Sequence, residues 1–197
     1  MTKGEQTKER ILNTVLAFIK QGVDYDKLTM TEIAFASQIG KSTVYEYFKT
    51  KEELIFKTYQ YLLDQYERML SEPLSATCFK SQFYEQIKRI FDVMMDAKVI
   101  METLILGKET TFFSKKEQLQ IQIQSIQSKM EKRFIDIFVL GNKEDVIQNK
   151  NPHPHDAHVI QAIINGLMMQ YVNKEIQVNE QELFDIMYTY IVRLLNA

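Results

Sequence analysis

The sequence predicts an all-α protein, and three observations carry the prediction. Glycine occurs 6 times and proline 3 times in 197 residues, too seldom for the many turns of a sheet protein. Apolar residues recur three and four positions apart along nearly the whole chain, the spacing of one helix face. Ile, Lys, Gln, Glu and Leu dominate, and all but Ile are good helix formers. The length is enough for a well-filled core, as one elongated domain or as a small domain joined to a larger one.

The first helix is expected from about Thr7 to Gln21, with Ile11, Val15 and Ile19 on its buried face and Gly22 as its C-terminal stop. Thr29-Met-Thr-Glu32 is a capping box, in which the threonine hydroxyl takes an early backbone N–H and the glutamate reaches back. It opens a short second helix through Ile33, Ala34 and Ala36, whose small residues let another helix approach. After a turn at Gln38-Ile39-Gly40, a third short helix puts Val44 and Phe48 on one face. Lys41, Ser42, Thr43, Tyr45 and Tyr47 crowd the rest of its surface. A fourth helix starts after Thr50, its N-cap, with Glu53 at the third helical position. Leu54, Tyr61, Leu62, Tyr66 and Met69 carry it to about Leu70, where Ser71-Glu-Pro73 ends it. Further helices are expected over about Lys80–Asp96, Val99–Leu106 and Lys115–Val139, the last stopped by Gly141-Asn142. Asn149–Pro154 reads as a loop. Two final helices are expected over about Ala157–Lys174 and Glu180–Asn196.

A short helix, a tight turn and a second short helix with a polar, basic and aromatic outer face form a helix-turn-helix. The chemistry suits the major groove of double-stranded DNA. Lys41 can donate to guanine acceptors, and Ser42 and Thr43 to bases or phosphates. Tyr45 and Tyr47 offer phenolic donors to phosphates, although packing against the first helix is the alternative at Tyr45. Thr29 is either a cap alone or a cap that also touches phosphate. Lys51 places a positive charge at a helix N-terminus that already favours phosphate. Glu46 on the same helix would repel phosphate unless it faces a cytosine amino group or solvent. The net charge of −2 argues against coating nucleic acid by bulk charge, but through Lys51 there are eight basic against six acidic residues, a local surplus of two.

The run from Ile33 to Leu54 resembles the signature of the TetR (tetracycline-repressor-like) family of transcriptional regulators. Tyr45-Glu-Tyr-Phe48 and Lys49-Thr-Lys-Glu-Glu-Leu54 carry the likeness, and Thr29 stands where the family's phosphate-touching threonine stands. The resemblance covers about Gln6–Phe56. Its usual Ala-Gly-Val-Ser turn is replaced by Ser37-Gln-Ile-Gly40, so the turn glycine is Gln38 here and a glycine follows two residues later. The resemblance implies an N-terminal three-helix DNA-binding domain over residues 1–50. It also implies a larger helical domain over 51–197 that binds a small-molecule effector and forms a homodimer through its last two helices.

Ile160, Ile164, Leu167, Met168 and Tyr171 of the penultimate helix and Ile186, Met187, Tyr190 and Leu194 of the last are the expected dimer residues. Apolar side chains surround more than one face of each helix, enough for a core and an interface; a monomeric core is the alternative. Phe91, Met94, Met95, Met101, Met130, Phe134 and Phe138 are the candidate lining of an apolar effector pocket, with ordinary core as the alternative reading. They favour a hydrophobic or amphipathic effector.

Other chemistry is poorly represented. The sequence holds no phosphate loop, HExxH, nucleophile elbow or paired-cysteine motif, so neither an enzyme nor a cofactor is expected. A helical adaptor for protein partners would leave the composition of the third helix unexplained. His153, His155 and His158 sit close in sequence, but in and beside a loop rather than on converging fixed elements, and no metal site is assigned to them. The lone Cys78 excludes an intramolecular disulfide. With no membrane-length apolar run and no secretory leader pattern, a cytoplasmic location is expected.

Overall fold

The computed structural model describes residues 2–24, 27–106, 116–149, 153 and 155–197, apart from the side chains of 99–106 and 116. Among the described residues there are eight helices and no strand: α1 (Lys3–Lys20), α2 (Met30–Ala36), α3 (Lys41–Tyr47), α4 (Lys51–Ser71), α5 (Phe79–Leu106), α6 (Lys116–Lys143), α7 (Asp156–Val172) and α8 (Glu180–Leu195). No described helix is long and apolar enough to cross a membrane. The chain forms two compact units, one of Met1–Arg68 with Asp96–Ile126, the other of Met69–Met95 with Gln127–Ala197.

In the first unit α1 begins four residues earlier than its apolar stripe suggests. Thr2 and Glu5 form a capping box there, a signal upstream of the first buried residue. Ile11, Leu12, Val15, Leu16 and Ile19 are buried. Gly22 follows at φ +74°, the left-handed conformation that suits glycine after a helix end. The predicted box at Thr29 and Glu32 is present, and α2 buries Met30, Ile33 and Ala34. Val44 and Phe48 are buried, so α3 is held by one narrow apolar edge and leaves most of its circumference free. Thr50 Oγ1 accepts from the Glu53 amide at 3.1 Å, and the Glu53 carboxylate accepts from the Lys49 amide at 2.8 Å, which makes the expected start of α4.

Two expectations about helix breaks are corrected. The helices expected over Lys80–Asp96 and Val99–Leu106 are one helix, α5. Nothing between Asp96 and Val99 lacks a backbone donor or frees the backbone, so the helix runs on through that stretch. Gly141-Asn142 does not stop α6, which continues to Lys143. Gly141 is instead a packing glycine: a Cβ there would lie 2.7 Å from Ile147 Cδ1 and 3.0 Å from Phe79 Cδ2. The reversal comes later, where Asp145 adopts φ +56° and the Val146 and Ile147 amides return to the Gly141 carbonyl at 3.0 and 3.1 Å. The loop expected over Asn149–Pro154 falls largely outside the described residues.

The second unit is organised around one aromatic and aliphatic core. Phe79, Phe83, Ile87 and Phe91 of α5 meet Ile137 of α6, Ile160, Ile164 and Met168 of α7, and Leu183, Phe184, Met187, Ile191 and Leu195 of α8. Phe91 sits 5.3 Å from Tyr171 and 5.6 Å from Phe184, ring centre to ring centre. The α8 start is fixed by a capping box between Asn179 and Glu182.

Candidate nucleic-acid interface

The α2–α3 pair is built by a turn that the sequence makes in an unusual way. Ser37, Gln38 and Ile39 connect the helices. Gln38 takes the left-handed conformation, at φ +54°, while Gly40 is at an ordinary φ of −58°. The turn therefore keeps the reversal that a glycine would serve, on a residue that pays for its Cβ with local strain. Two neighbours hold it. The Ile39 amide returns to the Ala34 carbonyl at 3.0 Å, and Arg10 Nη2 of α1 donates to the Gln38 carbonyl at 3.0 Å.

The turn presents α3 with Lys41, Ser42, Tyr45 and Glu46 exposed and Thr43 and Tyr47 half-buried. Tyr45 is 40% exposed, so the alternative of burial against α1 does not describe it. Tyr47 is partly committed within the fold: its hydroxyl lies 3.2 Å from where a Cβ on Gly4 would be, against the first turn of α1. Lys51 is half-buried at the first position of α4.

Thr29 is exposed, and its hydroxyl is engaged on both sides. It accepts from the Glu32 amide at 3.2 Å and donates to the Glu32 carboxylate at 2.7 Å. These bonds, with the Thr29 amide at 2.8 Å, hold the Glu32 carboxyl below its usual range. The cap is thus complete without a ligand, and a phosphate at Thr29 would have to take the proton now given to Glu32.

Three features of this unit had no sequence signal. Phe35 of α2 is 87% exposed, an aromatic on the outside of the helix pair. Tyr61 of α4 donates to Glu9 of α1 at 2.8 Å. Asp96 of α5 pairs with Lys20 at 2.7 Å and accepts from Tyr66 at 2.8 Å; burial, with the nearby Asp96 charge, raises the Tyr66 phenol and keeps it a donor. The Asp96 bonds tie the last turn of α1 and the C-terminal third of α4 to α5, and the Tyr61 bond ties α4 to α1, across sequence separations that no local pattern reports.

The other candidate residues are placed as follows. Phe91, Phe134 and Phe138 are packed in or against the second unit's core, with Met94 against it, and Met130 Sδ lies 3.3 Å from Gln86 Nε2. Met95 is 43% exposed and stands outside that group. The side chain of Met101 lies outside the described residues. Of the expected dimer residues, Ile160, Ile164, Met168 and Met187 are buried in the second unit's own core, where they cannot also serve as an open surface. Leu167, Tyr171, Ile186 and Leu194 are half-buried, and Tyr190 is 55% exposed. The rings of His153 and His155 are 5.3 Å apart and those of His155 and His158 6.2 Å, but no metal-holding group occurs among the described residues.

Comparison with known proteins matches this geometry. Residues 18–58, from the end of α1 into α4, match the family described as bacterial regulatory proteins, tetR family. The chain is 23% identical over 178 residues to the uncharacterized HTH-type transcriptional regulator YhgD of Bacillus subtilis (strain 168), covering 88% of each. A tetR-family transcriptional regulator from Streptomyces coelicolor has a similar structure, with a TM-score of 0.62 at 15% identity over 99% of this chain and 80% of that one. So does the transcriptional regulator FadR from Bacillus subtilis, solved in complex with stearoyl-CoA, with a TM-score of 0.56 at 16% identity over 96% of this chain and 97% of that one. With the helix-turn-helix built as described and the matched segment spanning it, residues 18–58 carry the helix-turn-helix segment of the tetR family of bacterial regulatory proteins, on a fold shared with solved regulators described as tetR-family.

Proposed function

We propose that the protein is a ligand-released repressor that binds a palindromic operator as a homodimer. Residues 1–50 serve as the DNA-binding domain and 51–197 as the effector and pairing domain. The observation that carries this reading is the exposed polar rim of α3, with Lys41, Ser42 and Tyr45 outward over the buried Val44 and Phe48. In this reading Lys41, Ser42 and Thr43 meet base edges, while Thr29, Tyr45, Tyr47 and Lys51 meet phosphates.

Pairing is supported by the surface of α7. Its inward face is used by the core, yet Val159 and Met169 are exposed on the outside, with Ala162 and Gly166 exposed between them. No atom lies within 4 Å of a Cβ built on Gly166, so the backbone is open to a close-packed second helix. Tyr190 of α8 extends the same chemistry. The effector is a hydrophobic or amphipathic small molecule, a class in keeping with the stearoyl-CoA held by the structurally similar FadR. Its binding shifts the population of α4 orientations, so that two heads no longer fit successive major grooves; a coupling of about 1–3 kcal/mol is enough.

Fluorescence anisotropy with the DNA upstream of the protein's own gene tests the reading. The expected result is tight binding that falls steeply with salt and exceeds binding to scrambled DNA of the same length. Equal affinity for both DNAs at every salt concentration would refute operator recognition.

A further inference from the structure

The turn between α2 and α3 has the bonds of a helix end closed by a left-handed residue. The Gln38 amide returns to the Phe35 carbonyl at 3.0 Å and the Ile39 amide to the Ala34 carbonyl at 3.0 Å, with Gln38 at φ +54°. Arg10 Nη2 of α1 donates to the Gln38 carbonyl at 3.0 Å. The Gln38 carbonyl and the Ile39 amide belong to one peptide plane. That plane is therefore held on both edges, by Arg10 on one and by α2 on the other. Gly40, the N-cap of α3, follows directly and brings no side-chain bond to the helix start. The direction in which α3 sets out is thus inherited from the turn. At the far end of α3 the Tyr47 hydroxyl stands against α1 as well, 3.2 Å from where a Cβ on Gly4 would be. Gly4 and Arg10 are about 9 Å apart along α1. One helix therefore meets α3 at its last residue and at the turn before its first.

We propose that Arg10 is a positioning residue for DNA reading: by fixing the Gln38–Ile39 peptide it sets the angle at which α3 leaves the turn. This rests on the reading of α3 as the DNA-facing helix. Contacts to base edges suffer most from a misplaced helix, because hydrogen bonds weaken steeply with distance and angle, whereas attraction to phosphate falls off slowly. Losing the Arg10 bond frees the turn and lowers the share of molecules with α3 set for the groove. Arg10 is exposed and charged, so direct contact with phosphate is the rival role. Salt separates the two, since a phosphate contact adds to the counterions released on binding and a turn brace does not.

Fluorescence anisotropy of wild type, Arg10→Met and Arg10→Lys tests this, on the DNA upstream of the protein's own gene and on a scrambled duplex, across a salt series. Wild type is expected to prefer the upstream DNA. Arg10→Met keeps an unbranched side chain and removes both donor and charge. It should lower the preference about fivefold, the scale of one exposed hydrogen bond, with the slope of log affinity against log salt unchanged. Arg10→Lys can still donate to the Gln38 carbonyl and should stay within about twofold of wild type. Thermal midpoints report folding, and Arg10→Gln, neutral and shorter, serves if Arg10→Met does not fold. A wild-type preference that survives the loss of Arg10 would overturn the proposal alone. So would equal weakening on both DNAs with a slope lower by about 1, the mark of a lost phosphate contact. A wild type with no preference would remove the proposal together with the reading of α3 beneath it.

Discussion

Arg10 Nη2 donates to the carbonyl oxygen of Gln38 at 3.0 Å, and Gln38 is the turn residue held at φ +54°. One guanidinium on α1 therefore braces the strained point between α2 and α3, the pair that presents the exposed polar rim of α3. The left-handed conformation costs an L residue about 1–2 kcal/mol, part of which a glycine would give back as extra freedom in the unfolded chain. Gln38→Gly is accordingly expected to stabilise the protein by about 0.5–1 kcal/mol in urea unfolding. Arg10→Ala should destabilise wild type, and by less once Gln38→Gly has relieved the strain. Equal losses in the two backgrounds would separate the brace from the strain.

The rim itself predicts two kinds of loss. Lys41→Ala should weaken operator binding by about 1–3 kcal/mol and relax discrimination at one base position. Lys51→Ala should weaken binding to all DNA alike and lower the slope of log affinity against log salt by about 1. Both are measured by anisotropy on operator and scrambled duplexes, with thermal midpoints confirming that the fold is intact. Interchanged signatures would mean that the base and phosphate roles of these lysines are reversed.

Gly141→Ala gains helix propensity but pushes a methyl group against Ile147 and Phe79 in a filled core. Overpacking should prevail, with a net loss of about 1–2 kcal/mol. Ile147→Val removes the Cδ1 atom that stands nearest. The double variant is expected to be more stable than the sum of the two single changes implies, and simple additivity in urea unfolding would show that the clash is relieved elsewhere.

Acid should loosen both units through specific carboxylates. Thr29 holds the Glu32 carboxyl below its usual range. At Glu85 burial pushes upward, but the Ala76 and Ser75 amides, the Ser75 hydroxyl and Arg89 outweigh it, and the net shift is again downward. A lowered folded-state pKa means that the stabilising effect is full above the ordinary glutamate value, about 4.3, and is lost as pH falls through the depressed value. Glu85→Gln should therefore reduce the pH dependence of stability in that acidic window, with little change in its slope near neutrality. Acid unfolding curves of the variant and wild type that are parallel throughout would exclude Glu85 as a contributor.

Much of this protein was legible in the sequence, because its decisive signals are local. A helix cap needs only residues three apart: Thr29 and Glu32 form the expected capping box, and Thr50 takes the Glu53 amide as the expected N-cap. A helix that buries one edge announces it by spacing, as Val44 and Phe48 do, and the residues left over on α3 are those the fold exposes or half-buries. The fold class and the outward chemistry of α3 followed from those short-range patterns. Where a choice depended on partners distant in the chain, the sequence was silent. Ile160, Ile164, Met168 and Met187 have the spacing of an interface as much as of a core, and only the packing of α5, α7 and α8 assigned them to the core. Gly141 has the composition of a helix stop, yet contact with Phe79 made it a point of close approach. Gln38 stands where a glycine would ease the turn, and the residue that braces it, Arg10, lies 28 positions earlier in the chain. Backbone preference is decided within a few residues, whereas burial and polar satisfaction are decided by whatever the fold brings alongside, and only the tertiary structure shows that.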